Sequence, residues 1–275
     1  MCATCGCGGN ADDNAVITIA GEDNHHHVHD SDHVHDDDHP HTHTVLLEQR
    51  VLEKNETLAA ENRQWLVQRR ILALNLTSSP GAGKTTLLER SIRELGQTRT
   101  VSVIEGDQET LLDADRIRAA GARAVQINTG AGCHLDAAMV HRALDALDPP
   151  PASLLFIENV GNLVCPALFD LGEYSKVVVI SVTEGADKPL KYPHMFAAAD
   201  LVIVNKVDLL PYVDFDVAVF SQHAQAVNPG VEILPVSATR GDGIDAWHQW
   251  IGDCANTLMS QRSLTSQTHR SKPKR

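Results

Sequence analysis

The sequence predicts an α/β fold in which a mostly parallel central sheet is flanked by helices. Short apolar runs typical of buried strands occur at 71–76, 101–104, 124–127, 154–157, 177–182, 201–204 and 233–236. Stretches with helical periodicity separate several of these runs, a pattern typical of parallel strands joined by crossover helices. With 275 residues, 43% of them hydrophobic, the chain is long enough for one large domain with appendages.

A glycine-rich turn between the first run and a predicted helix, Lys84–Leu95, predicts a phosphate-binding loop. Backbone N–H groups of such a turn and of the following helix N-terminus point at phosphate oxygens. The Lys84 ammonium can reach the terminal phosphates and the Thr85 hydroxyl can bind Mg²⁺. The usual pattern opens with glycine where this chain has Ser78, but the strand before and the helix after restore the prediction of a P-loop NTPase. The residues predicted to bind phosphate are Gly81, Ala82, Gly83, Lys84, Thr85 and Thr86.

Two carboxylates that follow predicted strands are candidates for catalysis. Asp107 lies after the run 101–104, and Glu158 directly follows 154–157. The carboxyl ends of parallel strands border the nucleotide crevice, so we predict that Lys84, Asp107 and Glu158 are catalytic. Thr85, Asp107 and Glu158 are the predicted magnesium ligands, with a solvated loop carboxylate as the alternative for Asp107. Gly161 follows Glu158 by three residues, and nucleotide hydrolases sense the γ-phosphate from this segment. The usual acid at the position of Glu158 is Asp.

The stretch Asn205-Lys206-Val207-Asp208, after the run 201–204, predicts guanine recognition. The Asp208 carboxylate can accept hydrogen bonds from N1–H and the 2-amino group of guanine. Adenine has neither donor there, so it would leave this carboxylate unpaired. Asn205 can bind N7 or hold the loop, and the Lys206 stem can cover the base. Backbone N–H groups around Ser237 and Ala238 can contact guanine O6.

The N-terminus carries a compact set of metal-ligand residues. Cys2, Cys5 and Cys7 are three of the six cysteines in the chain, and only small residues separate them. Removal of Met1 would add the α-amine of Cys2 to the three thiolates. A four-coordinate set of one amine and three thiolates suits Ni²⁺, Zn²⁺ or Cu⁺. The alternative is a terminus with incidental cysteines.

A histidine-rich tract follows and predicts weak binding of several metal ions. Nine of the 15 histidines of the chain lie in it, interleaved with Asp. Imidazole suits nickel, zinc and copper, and the interleaved acids argue against an expression tag. The predicted storage ligands are His25, His26, His27, His29, His33, His35, His39, His41 and His43.

A third group of possible metal ligands lies inside the domain. Cys133 and His134 are adjacent in a glycine-rich turn before a helix, and Cys165 follows Glu158 by seven residues. Cys165 is therefore just past the predicted switch, where a metal site can respond to the nucleotide. On residue type alone the pair is weak evidence, because a buried cysteine is more often a packing residue.

Composition divides the chain into four parts. We predict a disordered metal-binding arm at 1–43, a helical linker at 44–69, the nucleotide-binding domain at 70–258 and a disordered basic tail at 259–275. The arm holds nine of the 36 acidic residues and none of the 23 basic ones, within a net charge of −13. This balance favours cations and argues against nucleic acid as the main partner. No run approaches the roughly 18 apolar residues of a membrane span, and no signal peptide is evident, so we expect a cytoplasmic protein without membrane insertion.

These motifs resemble the hydrogenase-maturation nickel GTPase family, HypB, over essentially residues 1–258. Ser78 and Glu158, which depart from generic GTPases, are normal for this family. The resemblance rests on the Cys/His arm, the P-loop, Glu105-Gly106-Asp107, Gly132-Cys133-His134-Leu135-Asp136, the stretch 158–166 and Asn205-Lys206-Val207-Asp208.

The resemblance implies a slow, switch-type GTPase that binds Ni²⁺ and helps insert it into the large subunit of [NiFe]-hydrogenase. It implies a high-affinity nickel site at the three N-terminal cysteines. It also implies a weaker nickel or zinc site at Cys133, His134 and Cys165, formed at a GTP-stabilised homodimer interface. GTP, Mg²⁺, Ni²⁺ and Zn²⁺ are the implied ligands, and a small HypA-type nickel chaperone and a hydrogenase precursor are the implied partners.

Three alternatives remain beside this interpretation. A urease-type nickel GTPase shares the fold, but the cysteine-rich N-terminus and the Cys133-His134 pair argue against it. A nickel-storage protein with vestigial GTPase activity is favoured by the histidine tract, whereas intact Lys84, Thr85 and Asp208 favour a working switch. An ATPase is disfavoured by Asp208.

Overall fold

The structure is a computed structural model that describes residues 16–19, 40–107, 112–130 and 132–270. Its described strands form one sheet in the order β1-β4-β3-β5-β2-β6-β7-β8. In chain order they are β1 (Val16–Ile19), β2 (Leu72–Ser78), β3 (Val101–Asp107), β4 (Arg123–Asn128), β5 (Leu154–Gly161), β6 (Ser175–Ser181), β7 (Leu201–Asn205) and β8 (Glu232–Pro235). Strands β2 to β8 pair in parallel and β1 pairs antiparallel, which confirms the predicted, mostly parallel α/β sheet.

Helices connect the strands and flank the sheet. They are α1 (Pro40–Arg69), α2 (Lys84–Leu95), α3 (Leu112–Ala119), α4 (Ala137–Leu147), α5 (Lys188–Lys191), α6 (Pro193–Ala197), α7 (Val217–Val227) and α8 (Ile244–Arg270). Two short 3₁₀ helices lie at Cys165–Ala167 and Val207–Tyr212. Across the described part of the chain, no helix combines the length and the apolar character that crossing a membrane requires.

Alternate residues of the central strands point to opposite faces of the sheet, and each face has its own core. On one face, Leu74 and Phe156 belong to a buried cluster with Trp247 of α8 and residues of α2. On the other face, Ile157 lies in a cluster with Leu66 of α1 and residues of α4. A third cluster joins β6 and β7 to α6 and α7. Because both faces are buried, the central strands are apolar along most of their length.

Polar residues enter the central strands at their C-terminal ends. The strands extend beyond the predicted runs because backbone pairing continues through these residues. Ser78 pairs with Gly161 of β5 and Val179 of β6, and Asp107 pairs with Asn128 of β4. The ladder thus holds these positions in register at one edge of the sheet, where the nucleotide residues were predicted.

Strand β1 corrects one prediction for the N-terminal arm. The arm at 1–43 was expected to be disordered throughout, but Val16–Ile19 pairs antiparallel with β4, from Val16↔Asn128 to Ile19↔Val125. Its sequence, Val-Ile-Thr-Ile, consists of β-branched residues, which favour strands, and it covers the edge of β4. The predicted ligands Cys2, Cys5 and Cys7, and the histidines from 25 to 39, lie outside the described residues.

The first and last helices, α1 and α8, extend beyond the bounds predicted for the linker and the domain. The linker is a single helix, α1, which begins at Pro40 rather than at residue 44 and takes in the backbone of His41 and His43. Proline suits the first helical position because it needs no intrahelical N–H partner. At the other end, α8 continues past Leu258 to Arg270. No Gly or Pro occurs between 259 and 272 to stop it.

Candidate functional site

The P-loop joins β2 to α2 and is shaped by its glycines. Gly81 and Gly83 have φ of 73° and 97°, in the left-handed region that favours glycine. A Cβ on Gly83 would lie 2.5 Å from Nδ2 of Asn205, so this position also needs glycine for close approach. Lys84 is 9% exposed, and its Nζ donates to Oγ of Ser78 at 2.7 Å. The Ser78 hydroxyl that replaces the usual glycine therefore holds the lysine over the loop.

Electrostatics around Lys84 are dominated by burial and by acidic neighbours. Burial lowers the pKa of the Lys84 ammonium, and the carboxylates of Glu158, Asp113, Glu184 and Asp107 oppose that shift. This distribution matches the predicted edge of the sheet, because Asp107 is the last residue of β3 and Glu158 lies in the C-terminal half of the neighbouring strand β5. An anionic phosphate would meet a buried cation at this position.

Glu158 contacts the P-loop directly. Thr85 donates from Oγ1 to Oε1 of Glu158 at 2.8 Å, while Oε2 of Glu158 is buried without a hydrogen-bond partner. Burial raises the pKa of Glu158 to about 6, against the opposing effects of Lys84 and the Thr85 hydrogen bond. Buried oxygens without partners are unfavourable unless a ligand completes them.

A second buried glutamate, which sequence reasoning did not single out, lies beside Glu158. Glu105 of β3 is directly opposite Glu158 in the parallel register and is 2% exposed. Burial raises the pKa of Glu105 to about 8, and repulsion from Glu158 and Asp107 adds to the shift. Thr85 and Glu158 place a hydroxyl and a carboxylate side by side at the P-loop, and oxygen ligands of this kind suit the hard cation Mg²⁺.

The residues predicted to bind guanine lie against the P-loop. Asn205 donates from Nδ2 to the Ala82 carbonyl at 2.9 Å and accepts from the Ala238 N–H at 3.1 Å. It therefore holds the loop, the second of the two roles predicted for it. Lys206 donates from Nζ to the Gly81 carbonyl at 2.7 Å.

Asp208 is fixed by a neighbouring hydroxyl. Its Oδ1 accepts from Oγ of Ser237 at 2.6 Å.

The remaining predicted nucleotide residues also lie at the P-loop. Thr86 lies in the first turn of α2, and a Cβ on Gly161 would be 3.2 Å from Pro80 of the P-loop. The predicted nucleotide residues thus come together at one edge of the sheet.

Cys133, His134 and Cys165 form a compact cluster. Their ligand atoms all lie within 4.8 Å of one another. The two Sγ atoms are 2.9 Å apart, Nδ1 of His134 is 3.6 Å from Sγ of Cys133, and neither cysteine is in a disulfide bond. Cys165 is buried and the other two are half-buried. Two thiolates and an imidazole are a donor set that suits Ni²⁺ or Zn²⁺.

An aromatic side chain supports the imidazole. The rings of His134 and Phe169 have centroids 4.0 Å apart and an interplanar angle of 31°. Burial lowers the pKa of His134, with Asp136 opposing, which favours the neutral form that binds metals. Lys176 donates from Nζ to the carbonyls of Pro166 and Phe169, at 2.9 and 3.3 Å, and so holds the Cys165 segment.

Two asparagines that the sequence motifs contained, but that we did not single out, connect the nucleotide edge to this cluster. Asn159, adjacent to Glu158, accepts from the Leu135 N–H at 3.1 Å through Oδ1. Asn162 donates from Nδ2 to the Cys133 carbonyl at 3.2 Å and accepts from the Val164 N–H at 2.9 Å. Their signal was an amide side chain near the C-terminal end of a buried strand.

Comparisons with known proteins agree with this architecture. A family model described as CobW/HypB/UreG, nucleotide-binding domain, matches residues 72–235. Hydrogenase maturation factor HypB of Rhizobium leguminosarum bv. viciae is 58% identical over 207 residues, which are 75% of this chain and 69% of that protein. HypB of Escherichia coli K12 is 58% identical over 201 residues, 73% of this chain and 69% of that protein.

Solved structures give the same result. The crystal structure of HypB from Helicobacter pylori in complex with nickel is 38% identical, with a TM-score of 0.71, and covers 74% of this chain and 96% of that one. HypB from Archaeoglobus fulgidus is also 38% identical, with a TM-score of 0.69, and covers 74% of this chain and 99% of that one. On the fold, the matched domain and these identities, the chain belongs to the HypB family of hydrogenase maturation factors.

Proposed function

We propose that the protein is a GTP hydrolase that couples GTP binding and hydrolysis to delivery of Ni²⁺ into the large subunit of [NiFe]-hydrogenase. Membership of the HypB family supports the process, since the relatives are named hydrogenase maturation factors. A neighbour solved in complex with nickel supports the metal. The proposed turnover is slow, as for a molecular switch.

One observation carries the coupling part of the proposal. Glu158, which accepts from Thr85 of the P-loop, and Cys165, a candidate metal ligand, lie seven residues apart on one continuous segment. Between them, Asn162 binds the Cys133 backbone. A change at Glu158 that accompanies loss of the γ-phosphate is therefore transmitted to the Cys133 and Cys165 side of the molecule by a short path of contacts.

The proposed hydrolysis needs no protein nucleophile, because water attacks the γ-phosphate. Lys84 and the loop N–H groups stabilise charge on the transferring group. Thr85, with Asp107 and Glu158, would hold Mg²⁺, which when bound neutralises charge on the β- and γ-phosphate oxygens. A buried acceptor on Glu158 with no partner supports this assignment. Asp107 or Glu158 would orient the attacking water.

Guanine specificity is proposed to come from Asp208. Its hydrogen bond from Ser237 leaves the second carboxylate oxygen, Oδ2, 4.0 Å from Nε of Arg240. A carboxylate fixed in this way matches the two adjacent donors of guanine and would be left unpaired by adenine.

Metal release follows from the same contacts. In the GTP state, Cys133, His134 and Cys165 hold Ni²⁺ or Zn²⁺, and we place this state in a homodimer. After hydrolysis the 158–161 segment relaxes, the separation of the two thiolates changes and the metal leaves. The arm cysteines, Cys2, Cys5 and Cys7, form the high-affinity nickel site and the histidine tract a store. A HypA-type chaperone and the hydrogenase precursor are the proposed partners.

Metal stoichiometry tests the assignment of the site. The full chain and its Cys133→Ala variant are loaded with Ni²⁺ in the presence of a non-hydrolysable GTP analogue, and bound nickel is counted. We expect the variant to lose the nickel that this site holds and to bind less nickel in total. It should still hydrolyse GTP, measured by phosphate release. Equal stoichiometry in the two proteins would contradict the site. Phosphate release from ATP at the same rate as from GTP would contradict the guanine assignment.

A role in urease maturation is a second candidate, and one comparison favours it. A Helicobacter pylori relative, 41% identical over 198 residues, is named hydrogenase/urease maturation factor HypB. Activation of apo-urease and of a hydrogenase precursor by the nickel-loaded protein, side by side, distinguishes the two. We expect activation of the hydrogenase precursor.

A further inference from the structure

Helix α1 lies against the two segments that carry the candidate metal ligands, and its contact face is polar at two points. Asn55 and Asn62 are 6% and 0% exposed. They are seven residues apart, close to two helical turns, so they share a face. A buried amide is unfavourable unless it is hydrogen-bonded, so the partners of these side chains show what this face contacts.

Asn55 joins the two ligand-bearing segments to each other. Its Oδ1 accepts from the Ala137 N–H at 2.8 Å, three residues after His134. Its Nδ2 donates to the Asp170 carbonyl at 2.8 Å, five residues after Cys165. One side chain thus spans the segment after Cys133-His134 and the segment after Cys165.

Asn62 repeats the connection two turns further along α1. Its Nδ2 donates to the Ala137 carbonyl at 2.9 Å and to the Leu171 carbonyl at 3.1 Å. Its Oδ1 lies 2.9 Å from Nδ1 of His141 on α4. Both polar groups of the Ala137 backbone are therefore bound by α1, one by each asparagine.

The backbone approaches α1 closely at the same place. Gly172 has φ of 88°, and a Cβ there would lie 2.5 Å from the Ala59 carbonyl of α1. Outside the buried contact, Arg63 binds both carboxylate oxygens of Asp170 at 2.6 Å. The segment that follows Cys165 is thus held to α1 by four contacts of three kinds: hydrogen bonds from two buried amides, one close approach and one ion pair.

We propose that Asn55 and Asn62 are positioning residues of the metal site, and that the docking of α1 sets the distance between the segments that carry its ligands. The inference rests on the proposed metal site at Cys133, His134 and Cys165. Those ligands come from two loops that are far apart in the sequence, and a bridge through a single amide fixes their separation more tightly than separate bonds to water do.

The test uses the full chain with Cys2, Cys5 and Cys7 changed to Ser as the parent, so that thiolate signals come from the domain. Ni²⁺ affinity and the sulfur-to-nickel charge-transfer band are measured in the presence of a GTP analogue. The variants are Asn55→Ala, Asn62→Ala and the double change. Gln64→Ala, an exposed position on the same helix, is the matched control.

We expect each single change to weaken nickel binding by about tenfold and to shift the charge-transfer band, as loss of a group that orients a metal ligand does. GTP-analogue affinity should stay within about twofold of the parent, which shows that the fold is intact. The control should match the parent. A purely stabilising role for these asparagines would lower the melting temperature without changing the nickel affinity or the band of the folded protein.

The outcomes separate this inference from the proposed function. A parent with a Cys133-dependent band and a double variant within about twofold of it would overturn the role of α1 alone. A parent without such a band would overturn the metal site and this inference together.

Hydrogen exchange of the parent gives a second test that does not depend on a destabilised variant. Linkage requires that if docking of α1 tightens nickel binding, nickel strengthens docking by the same factor. Saturating Ni²⁺ should therefore slow exchange of α1 amides near Asn55 and Asn62 by up to about tenfold. The Cys133→Ala variant should show no slowing. Equal exchange with and without nickel in the parent would overturn the inference.

Discussion

Two parts of this molecule are built in different ways: the part with the candidate nucleotide residues, here called the nucleotide half, and the part with the candidate metal ligands, here called the metal half. The P-loop is held by residues of the sheet itself, because Asn205 ends β7 and Glu158 lies within β5. The candidate metal ligands lie in two loops, and side chains from other elements hold those loops. Asn159 and Asn162 act from β5 and its extension, and Asn55 and Asn62 act from α1.

This difference in how the two halves are held indicates where movement can occur. A strand end in a paired sheet keeps its register, so the phosphate site is organised before the nucleotide arrives. Loops that depend on a few amide hydrogen bonds can shift when one partner moves. The nucleotide half is thus suited to sensing a phosphate, and the metal half is suited to holding and releasing a metal.

The largest effect is expected from Asp208→Asn, which should affect the nucleotide half alone. GTP affinity should fall by about 10³-fold, because the amide cannot accept from both guanine donors. Affinity for xanthosine triphosphate should rise, since its 2-oxo group accepts from the new amide. Nucleotide and nickel affinities are measured by calorimetry, with the exposed Asp214→Asn as control. A loss of nickel affinity in the nucleotide-free variant would show that Asp208 also acts on the metal half.

Glu158→Gln should have the next largest effect, a fall of about 10²-fold in kcat/KM for GTP, since Mg²⁺ and Thr85 lose an anionic partner. The raised pKa of Glu158, about 6, adds a pH signature. The carboxylate is the working form, so wild-type kcat/KM is full above this pH and falls as the pH drops through about 6. The Gln variant should lack this acid limb. An unchanged limb would show that another group titrates, and the exposed Glu232→Gln should behave like wild type.

Asn162→Ala should leave each half working but weaken the connection. The ratio of nickel affinities in the GTP-analogue and GDP states should fall about tenfold, because the hydrogen bond to the Cys133 carbonyl is lost. Steady-state hydrolysis should change less than about twofold. Asn256→Ala, an exposed position on α8, is the control. A full nucleotide effect in the Asn162 variant would show that coupling runs by another path.

Phe169→Leu should have the smallest effect, confined to the metal half. Loss of the ring contact with His134 should weaken nickel binding by about threefold to tenfold, the range of an aromatic pair. GTP affinity should not change. Tyr212→Leu, at a side chain that is 80% exposed, is the matched control. A change in GTP affinity without a change in nickel affinity would contradict the assignment of Phe169 to this half.

The same contrast explains what could be predicted from the sequence. The P-loop and the Asn205–Asp208 stretch are each one continuous run of residues at a strand end. A short sequence pattern is therefore enough to predict them. The parallel pairing of the strands was predicted from the alternation of apolar runs and helices. The edge strand at Val16–Ile19 was missed because four β-branched residues in a polar arm become a strand only when β4 offers a free edge.

The supports of the metal site could not be assigned in the same way. Cys133 and Cys165 were identified from their residue types, but the asparagines proposed to set their separation are distant in the chain. A signal for α1 existed in the spacing of Asn55, Ala59, Asn62 and Leu66, which places two amides on the apolar face of a helix. What those amides bind is decided by the packing of α1 on the loops, which sequence periodicity does not specify.

Control of the metal by the nucleotide is tested by the nickel affinity of the domain site in two nucleotide states. The protein with Cys2, Cys5 and Cys7 changed to Ser is titrated with Ni²⁺ in a GTP analogue and in GDP, and the Cys133-dependent band is followed. The two affinities should differ by at least about fivefold, the lower end of ordinary coupling between sites. Equal affinities, together with an equal tendency to dimerise in the two states, would contradict it.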